Sequence, residues 1–268
     1  MRTTYFLLVM FLLGGIAETF AQAGIAVTPG RVYYRLMPGT ENTQRIKVTN
    51  PTSGELEVGV SFNDWNYHEN GGNNIQEAGS LENSCSNWIQ VLPDTYFILA
   101  PGETRDVEVV MQVPAEVDTA LPVRTSMIFF TQLNPGQGVD QVGAGIQVTV
   151  RMGVKIYHSF EQQSVNEMDI VDFKRTTTDD NKTQVGLYVE NTGKIWTNGL
   201  VDWEVFNNNT GKKTKLSRKE FYTLPQDVRL VSHTLPDDLE KGDYTITAIV
   251  TDAERDDVNI AEMDFTVD

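Results

Sequence analysis

Residues 145–158 read GIQVTVRMGVKIYH. Apolar side chains occupy every second position at Ile146, Val148 and Val150, and a period of two is typical of a β-strand with one buried face. The segment therefore predicts one long strand over 145–158. Lys155 interrupts its later apolar part and, in an unbroken strand, lies on the face opposite to the alternating set.

The chain on either side has the same character, with short runs of Val, Ile, Thr, Tyr and Phe between clusters of Gly, Pro, Asn and Asp. The pattern predicts further strands at 25–36, 42–50, 56–66, 87–91, 95–100, 104–113 and 123–133. After the polar segment 159–166, it predicts strands at 168–175, 182–190, 198–207, 211–217, 220–224, 227–234, 242–251 and 258–267. No long stretch has a helical period. Each side holds about eight strands, enough for one sandwich. The prediction is an all-β chain of two tandem immunoglobulin-like β-sandwich domains, at 24–160 and 161–268.

The first 23 residues resemble a secretory signal peptide. Arg2 supplies a positive start, Phe6–Ala17 is an apolar run, and Ala21-Gln22-Ala23 is an A-x-A cleavage site. The apolar run is shorter than the about 20 residues that span a bilayer. We expect cleavage before Gly24 and export to the periplasm, with the cell surface as the alternative. Cleavage after Ala21 is also compatible with the sequence.

Charge and cysteine content exclude several classes of protein. The chain carries 37 acidic and 21 basic residues, a net charge of −16, and such a chain is repelled by nucleic acid. Cys85 is the single cysteine, so an exported form has no internal disulfide and depends on core packing. Its flanking residues give no role for the thiol.

Catalytic and metal-binding motifs are not evident. The three histidines are far apart in sequence, and none of the common hydrolase, zinc or phosphate-loop motifs is present. Asp252, Glu254, Asp256 and Asp257 resemble a calcium loop only loosely, because the required glycine and final glutamate are missing. We expect a non-enzymatic protein without a cofactor, a metal or a small-molecule substrate.

A series of landmarks in the first half occurs in a fixed order. They are the segments TPGRVYY at 28–34, a strand ending in Asn50, VGVSFNDW at 58–65, LAPGET at 99–104, RTSMIFF at 124–130, and IQVTV at 146–150 running on to VKIY at 154–157. Together they resemble the first domain of PapD-like periplasmic pilus chaperones. The second half resembles a generic bacterial immunoglobulin-like module, and the polar segment 66–87 is longer than the family pattern.

The resemblance implies a mechanism. Chaperones of this family lend their last strand to a pilin-like subunit whose own fold lacks one, which is donor-strand complementation. Ile146, Val148 and Val150 match the donor strand. Arg31 and Lys155 match two basic residues that anchor the carboxylate at the C-terminus of the client. The resemblance implies a protein client as the partner, and an outer-membrane usher as a further partner.

Other interpretations of the same residues stay open. The three donor-strand residues could pack the core of their own domain, Arg31 could be a surface arginine, and Lys155 a structural lysine on a sheet. The alternative function is a structural or adhesive surface module built on immunoglobulin-like domains. That alternative predicts that the edge of 145–157 is covered and that exposed aromatic residues form a patch elsewhere.

Overall fold

A computed structural model describes residues 24–139, 145–160, 166–178, 180, 182–252 and 257–267. The predicted signal peptide, residues 1–23, and residues 161–165, at the predicted domain boundary, lie outside the described residues. So do Glu254 and Asp256 of the calcium-like loop. Within the described part of the chain, no helix is long and apolar enough to cross a membrane.

Twelve strands precede residue 160 in the described ranges. They are β1 (Ala26–Thr28), β2 (Arg31–Arg35), β3 (Glu41–Thr49), β4 (Leu56–Tyr67), β5 (Asn73–Glu77), β6 (Ile89–Leu92), β7 (Tyr96–Leu99), β8 (Thr104–Gln112), β9 (Val123–Gln132), β10 (Gly136–Val139), β11 (Gly145–Val148) and β12 (Arg151–Ser159). One sheet has the order β1-β3-β8-β6, and the facing sheet has the order β2-β12-β9-β4-β5, with β7 also paired to β4. The inward side chains of both sheets form one apolar core.

Eight described strands follow residue 166. They are β13 (Met168–Thr177), β14 (Thr183–Asn191), β15 (Thr197–Asn207), β16 (Lys213–Lys215), β17 (Lys219–Thr223), β18 (Val228–Thr234), β19 (Gly242–Asp252) and β20 (Val258–Val267). One sheet has the order β13-β14-β18, the other β16-β15-β19-β20 with β17 paired to β15. A second apolar core around Trp203 lies between them. The predicted fold class, all-β with two tandem immunoglobulin-like sandwiches, is confirmed.

Burial follows the alternation that the sequence predicted. In β15 and β19 nearly every second side chain is buried, as expected for strands that pack a core with one face. Strand β9 differs, because its first six residues are all buried. Ile128 points into the first core, whereas Met127, on the other face, packs in a separate cluster where the two sandwiches meet.

Four predicted segments differ from the observed strands. The prediction of one strand over 25–36 is wrong, because this segment forms β1 and β2, which belong to opposite sheets. The prediction of one strand over 145–158 is wrong, because residues 149–150 separate β11 from β12. The polar segment 66–87 contains β5, which pairs with the end of β4. The residues after 133, where the sequence predicted no strand before 145, contain β10, which pairs with β11 as a two-stranded extension of the first sandwich.

The two sandwiches contact each other directly. Trp65, Val123 and Tyr157 of the first sandwich pack with Leu224 of the second in a small buried cluster, and Trp196 packs against it. The turn between β4 and β5 also reaches the second sandwich, where the Leu230 amide donates a 2.8 Å hydrogen bond to the Glu69 carbonyl. This joint positions the cleft described next.

Candidate functional site: a cationic cleft between the sandwiches

Arg31 and Lys155 lie side by side. Strand β2 pairs with β12 in parallel, and the register places Arg31 directly opposite Lys155, where neighbouring strands are about 4.8 Å apart. Val32 and Tyr34 of β2 are buried, and so are Val154 and Ile156 of β12. The two basic residues alternate with these core positions, so they point to the outer face of the sheet.

Lys155 is held against aromatic rings. Its Nζ lies 4.3 Å from the ring centroid of Trp65 and 4.2 Å from that of Tyr67. The ammonium donates a 3.1 Å hydrogen bond to the Tyr67 hydroxyl, which lies 3.1 Å from the Tyr157 hydroxyl. Rings that face a cation attract it through their quadrupole, so this arrangement fixes the ammonium without neutralising it.

The second sandwich supplies the opposite wall. The guanidinium carbon of Arg31 lies 4.0 Å from the ring centroid of Tyr222 in β17. Arg229 of β18 places its guanidinium carbon 4.5 Å from the Tyr67 ring centroid and donates from Nη1 to the His68 carbonyl. Three cations from two sandwiches therefore line one cavity together with Tyr67.

These cations have no close carboxylate partner. Among the described residues, no Asp or Glu oxygen lies within 4.0 Å of Arg31, Lys155 or Arg229. Glu220 lines the same cavity, but it accepts a 2.8 Å hydrogen bond from the Tyr222 hydroxyl. The Nε atoms of Arg31 and Arg229 are buried and have no hydrogen-bond partner. The site thus concentrates positive charge in a chain whose net charge is −16.

The electrostatics of Lys155 reflect this crowding. Burial, followed by the nearby charges of Arg31 and Arg229, lowers the pKa of Lys155 to about 8. Burial also raises the pKa of Asp227, whose carboxylate accepts a hydrogen bond from the Leu224 amide. A bound anion would favour the charged lysine, so the cavity of about 420 Å³ at these residues suits a carboxylate better than a cation or an apolar group.

The predicted donor strand lies beside an open edge. Strand β2 covers only residues 155–159 of β12, and β11 pairs only with β10. Within the described residues, the outer edge of 145–154 therefore lacks a paired strand. Val148 is 40% exposed, Val150 packs partly against the first core, and Met152 is exposed. The backbone of Ile146 is opposite Gly138, and its side chain lies outside the described residues.

Sequence reasoning missed three residues of the cleft: Tyr67, Tyr222 and Arg229. Tyr67 belongs to the polar segment 66–87 in the sequence, but in the structure it lies two residues after Trp65 on β4. Arg229 lies two residues before Val231 on the inward face of β18 and is 4% exposed, but this burial is a property of the folded chain that the sequence does not show. A buried arginine in an alternating strand needs a polar partner or a function.

Other candidates from the sequence have structural surroundings. Cys85 is buried in the first core, and burial raises the pKa of its thiol well above the ordinary range. Three basic residues in or just after β16 form ion pairs: Lys213 and Lys215 with Glu204, and Arg218 with Asp202. Within the described residues, no group of three or more His, Cys, Asp or Glu side chains could hold a metal ion.

The fold and cleft define a class: a protein of two β-sandwiches with a cationic cavity at their joint. No protein-family model matches the chain, and no curated protein matches it in sequence. Solved structures that it is similar to include the YadV chaperone, with 10% identity and a TM-score of 0.47 over 91% of this chain and 99% of that chain.

Two further solved structures are similar to this chain. The Escherichia coli chaperone DraB has 13% identity and a TM-score of 0.45 over 91% of this chain and 98% of that chain. A structure of the CsuC–CsuE chaperone–tip adhesion subunit pre-assembly complex from Acinetobacter baumannii gives 11% identity and a TM-score of 0.46, over 90% and 98%.

Proposed function

We propose that this protein is a periplasmic chaperone for pilus or other surface subunits. In this proposal, Arg31 and Lys155 anchor the C-terminal carboxylate of a client. The client completes its fold with the apolar side chains of Ile146, Val148 and Val150. Export to the periplasm and a protein client are parts of the same proposal, and an outer-membrane usher is a compatible further partner.

The observation that carries the proposal is the pair of neighbouring cations without a carboxylate. Placing Arg31 opposite Lys155 in a partly buried cleft costs free energy, because like charges repel and burial removes hydration. A protein retains such a pair where a ligand supplies the missing negative charge. A carboxylate can accept hydrogen bonds from both groups, and a hydrogen bond to a charged group contributes about 1.5–3 kcal/mol.

The open edge at 145–154 gives the second contact. An extended client segment could pair with the unpaired backbone groups there, while alternate side chains enter its core. Val148 and Met152 are exposed and would be buried by such pairing. Complete burial of a Val or Met side chain stabilises by about 1.5–3 kcal/mol, so the remaining exposed fraction of Val148 contributes about 1 kcal/mol.

The direct test is a pull-down from periplasmic extract with the wild-type protein and with the double variant Arg31→Ala/Lys155→Ala. The matched control is Arg45→Ala/Lys47→Ala, which removes the same two charge types from exposed positions on β3. Circular dichroism and urea unfolding verify that each variant is folded. Each co-purified chain is identified, and its binding is measured again after its C-terminal residue is amidated.

We expect β-rich subunits to bind the wild-type protein and the control variant. These subunits should lose most of their affinity for the double variant. Amidation of the client should reduce its affinity for the wild-type protein by a similar factor. Binding that survives both the double variant and amidation would refute the carboxylate anchor. If the wild-type protein captures no subunit, the chaperone proposal is refuted and the structural or adhesive module is favoured.

A further inference from the structure

The cavity of about 420 Å³ at Lys155 holds more positive than negative charge. Its cationic lining residues are Arg31, Lys155, Lys219 and Arg229, and Glu220 is the only acidic residue of its described lining. The Glu220 carboxylate accepts its hydrogen bond from the Tyr222 hydroxyl. A chemical change that adds negative charge here is therefore favoured by the surroundings.

Two guanidinium groups of this cavity have unused hydrogen-bond donors. Arg229 is 4% exposed, yet its Nε has no hydrogen-bond partner, and the same is true of the buried Nε of Arg31. Buried guanidinium groups are nearly always hydrogen-bonded in folded proteins. Arg31 is opposite Lys155 in the strand register, and Arg229 and Lys155 contact the same Tyr67 ring. An anionic acceptor on Lys155 would thus lie among donors that need one.

Lys155 is a half-buried amine with an unusual charge balance. Burial, followed by the charges of Arg31 and Arg229, lowers its pKa to about 8. At pH 8 about half of the Lys155 side chains are therefore neutral amines, whereas an exposed lysine is neutral in well under about 1% of molecules. A neutral amine has a free electron pair, and a desolvated lysine beside other cations is a recognised form of activated nucleophile.

The hydroxyl groups around the amine keep their protons. Burial raises the pKa of Tyr67 and of Tyr157, and the Tyr67 hydroxyl lies 3.1 Å from the Lys155 Nζ. It can accept a hydrogen bond from the ammonium or donate one to the neutral amine. The remaining charged or titratable groups around the cavity are Lys219, Glu220 and Tyr222 of β17, and Asp227, in the turn before β18, which acts on Arg229.

Carbon dioxide is the electrophile whose product fits these surroundings. The electron pair of the neutral amine attacks its carbon, an N–C bond forms, one C–O π bond breaks, and the nitrogen releases one proton to solvent. The product is a carbamate, whose two oxygens share one negative charge, and the step needs no oxidant or reductant. An aldehyde would give an imine without negative charge, so it would leave the guanidinium donors unpaired.

We infer that Lys155 is a site of reversible carbamate formation by carbon dioxide, with the carbamate held by the guanidinium groups of Arg31 and Arg229. Hydrogen bonds between a guanidinium and an anionic oxygen are among the strong ones in proteins. The modification needs no client, so it stands or falls independently of the proposed function. Under that function, the carbamate would take the place of the client carboxylate, and bicarbonate would weaken client binding.

The test traps the carbamate on the full-length protein. The protein is equilibrated at pH 8 with isotopically labelled bicarbonate, which supplies carbon dioxide. A trialkyloxonium salt then converts carbamates to stable esters, and mass spectrometry of peptides locates the label. The variants are Lys155→Met, Arg31→Met and, as the matched control, Lys47→Met at an exposed position of β3. Circular dichroism verifies that each variant is folded.

We expect the label on Lys155 at an occupancy about tenfold or more above that of Lys47, because more of its amine is neutral. Arg31→Met should reduce the occupancy of Lys155 about tenfold, since one charge-assisted hydrogen bond is lost. Lys47→Met should leave it unchanged. In Lys155→Met the labelled peptide of this site should disappear, while any label on the α-amino group should persist.

Two results would overturn the inference. The first is a label on Lys155 that does not exceed the label on Lys47. The second is a wild-type protein that bicarbonate stabilises against urea without any label on Lys155, because the anion then binds without an N–C bond. In that case the carboxylate anchor stands and the modification is refuted. If Arg31→Met keeps the full occupancy, the guanidinium of Arg31 does not hold the carbamate.

Discussion

Replacing Lys155 with methionine should stabilise the free protein while it weakens client binding. Methionine keeps the apolar stem over Trp65 and Tyr67 but removes the buried ammonium. The pKa of Lys155 is lowered from 10.5 to about 8. Because this lysine keeps part of its contact with solvent, which screens the interaction, the shift corresponds to about 2 kcal/mol of destabilisation when the lysine is charged in both the folded and the unfolded chain. The contacts with the two rings offset about 1 kcal/mol of this, so Lys155→Met should gain about 1 kcal/mol at pH 7.

The sign of the pH dependence provides an internal check. Below pH 8 the full penalty is present, because the folded protein must hold a charged lysine in a poorly hydrated site. Between pH 8 and 10.5 the folded protein releases the proton before the unfolded chain does, so the wild type gains stability as the pH rises. The advantage of the variant, about 1 kcal/mol at pH 7, should therefore be nearly lost at pH 10.

Urea unfolding of both proteins at the two pH values gives the comparison, and Lys47→Met on β3 serves as the control because Lys47 is exposed. The expected control result is a change within about 0.5 kcal/mol at both pH values. If Lys155→Met destabilises the protein, or if its advantage does not depend on pH, then the ammonium is a stabilising structural group and the reasoning behind the anchor is wrong.

Three further predictions concern other parts of the molecule. Arg229→Met should destabilise the protein by about 1–3 kcal/mol, since the hydrogen bond to His68 is lost, and should raise the pKa of Lys155 in an NMR titration, since Arg229 lowers it. His158 is buried, and burial lowers its pKa to about 4, so stability should fall by up to about 3 kcal/mol from pH 6.5 to pH 4; His158→Gln should flatten this part of the urea-unfolding profile. Val148→Thr should change the unfolding free energy by less than about 0.5 kcal/mol, because the side chain is exposed. It should reduce the affinity for a client subunit about three- to tenfold in calorimetry. The control Val171→Thr, at an exposed position of β13, should leave this affinity unchanged.

Much of the fold follows from local pattern. Alternating apolar residues locate nearly every strand that packs a core, because burial on one face imposes the period of two. The missed strands, β5 and β10, contain mostly Asn, Gln and Gly. They form because their backbone groups hydrogen-bond to a neighbouring strand, and no hydrophobic pattern in the sequence predicts this pairing.

The cleft was only partly predictable. The sequence marked Lys155 as unusual, since it interrupts an apolar run, but nothing local connects it with Arg31. Their proximity depends on the parallel pairing of β2 with β12, a long-range contact between the start and the end of the first sandwich. Arg229 joins them only through the packing of the second sandwich, so the third cation was outside the range of any local argument.

The register of β2 on β12 also has a consequence for the order in which the site appears. Arg31 leaves the ribosome early, Lys155 much later, and Arg229 only near the end of the chain. A partly synthesised or partly unfolded molecule therefore presents isolated positive charges, each hydrated and weakly attractive to an anion. Under the proposed function, strong carboxylate binding would require both sandwiches to be complete and docked, so the ability to bind a client would itself indicate that the molecule is fully folded.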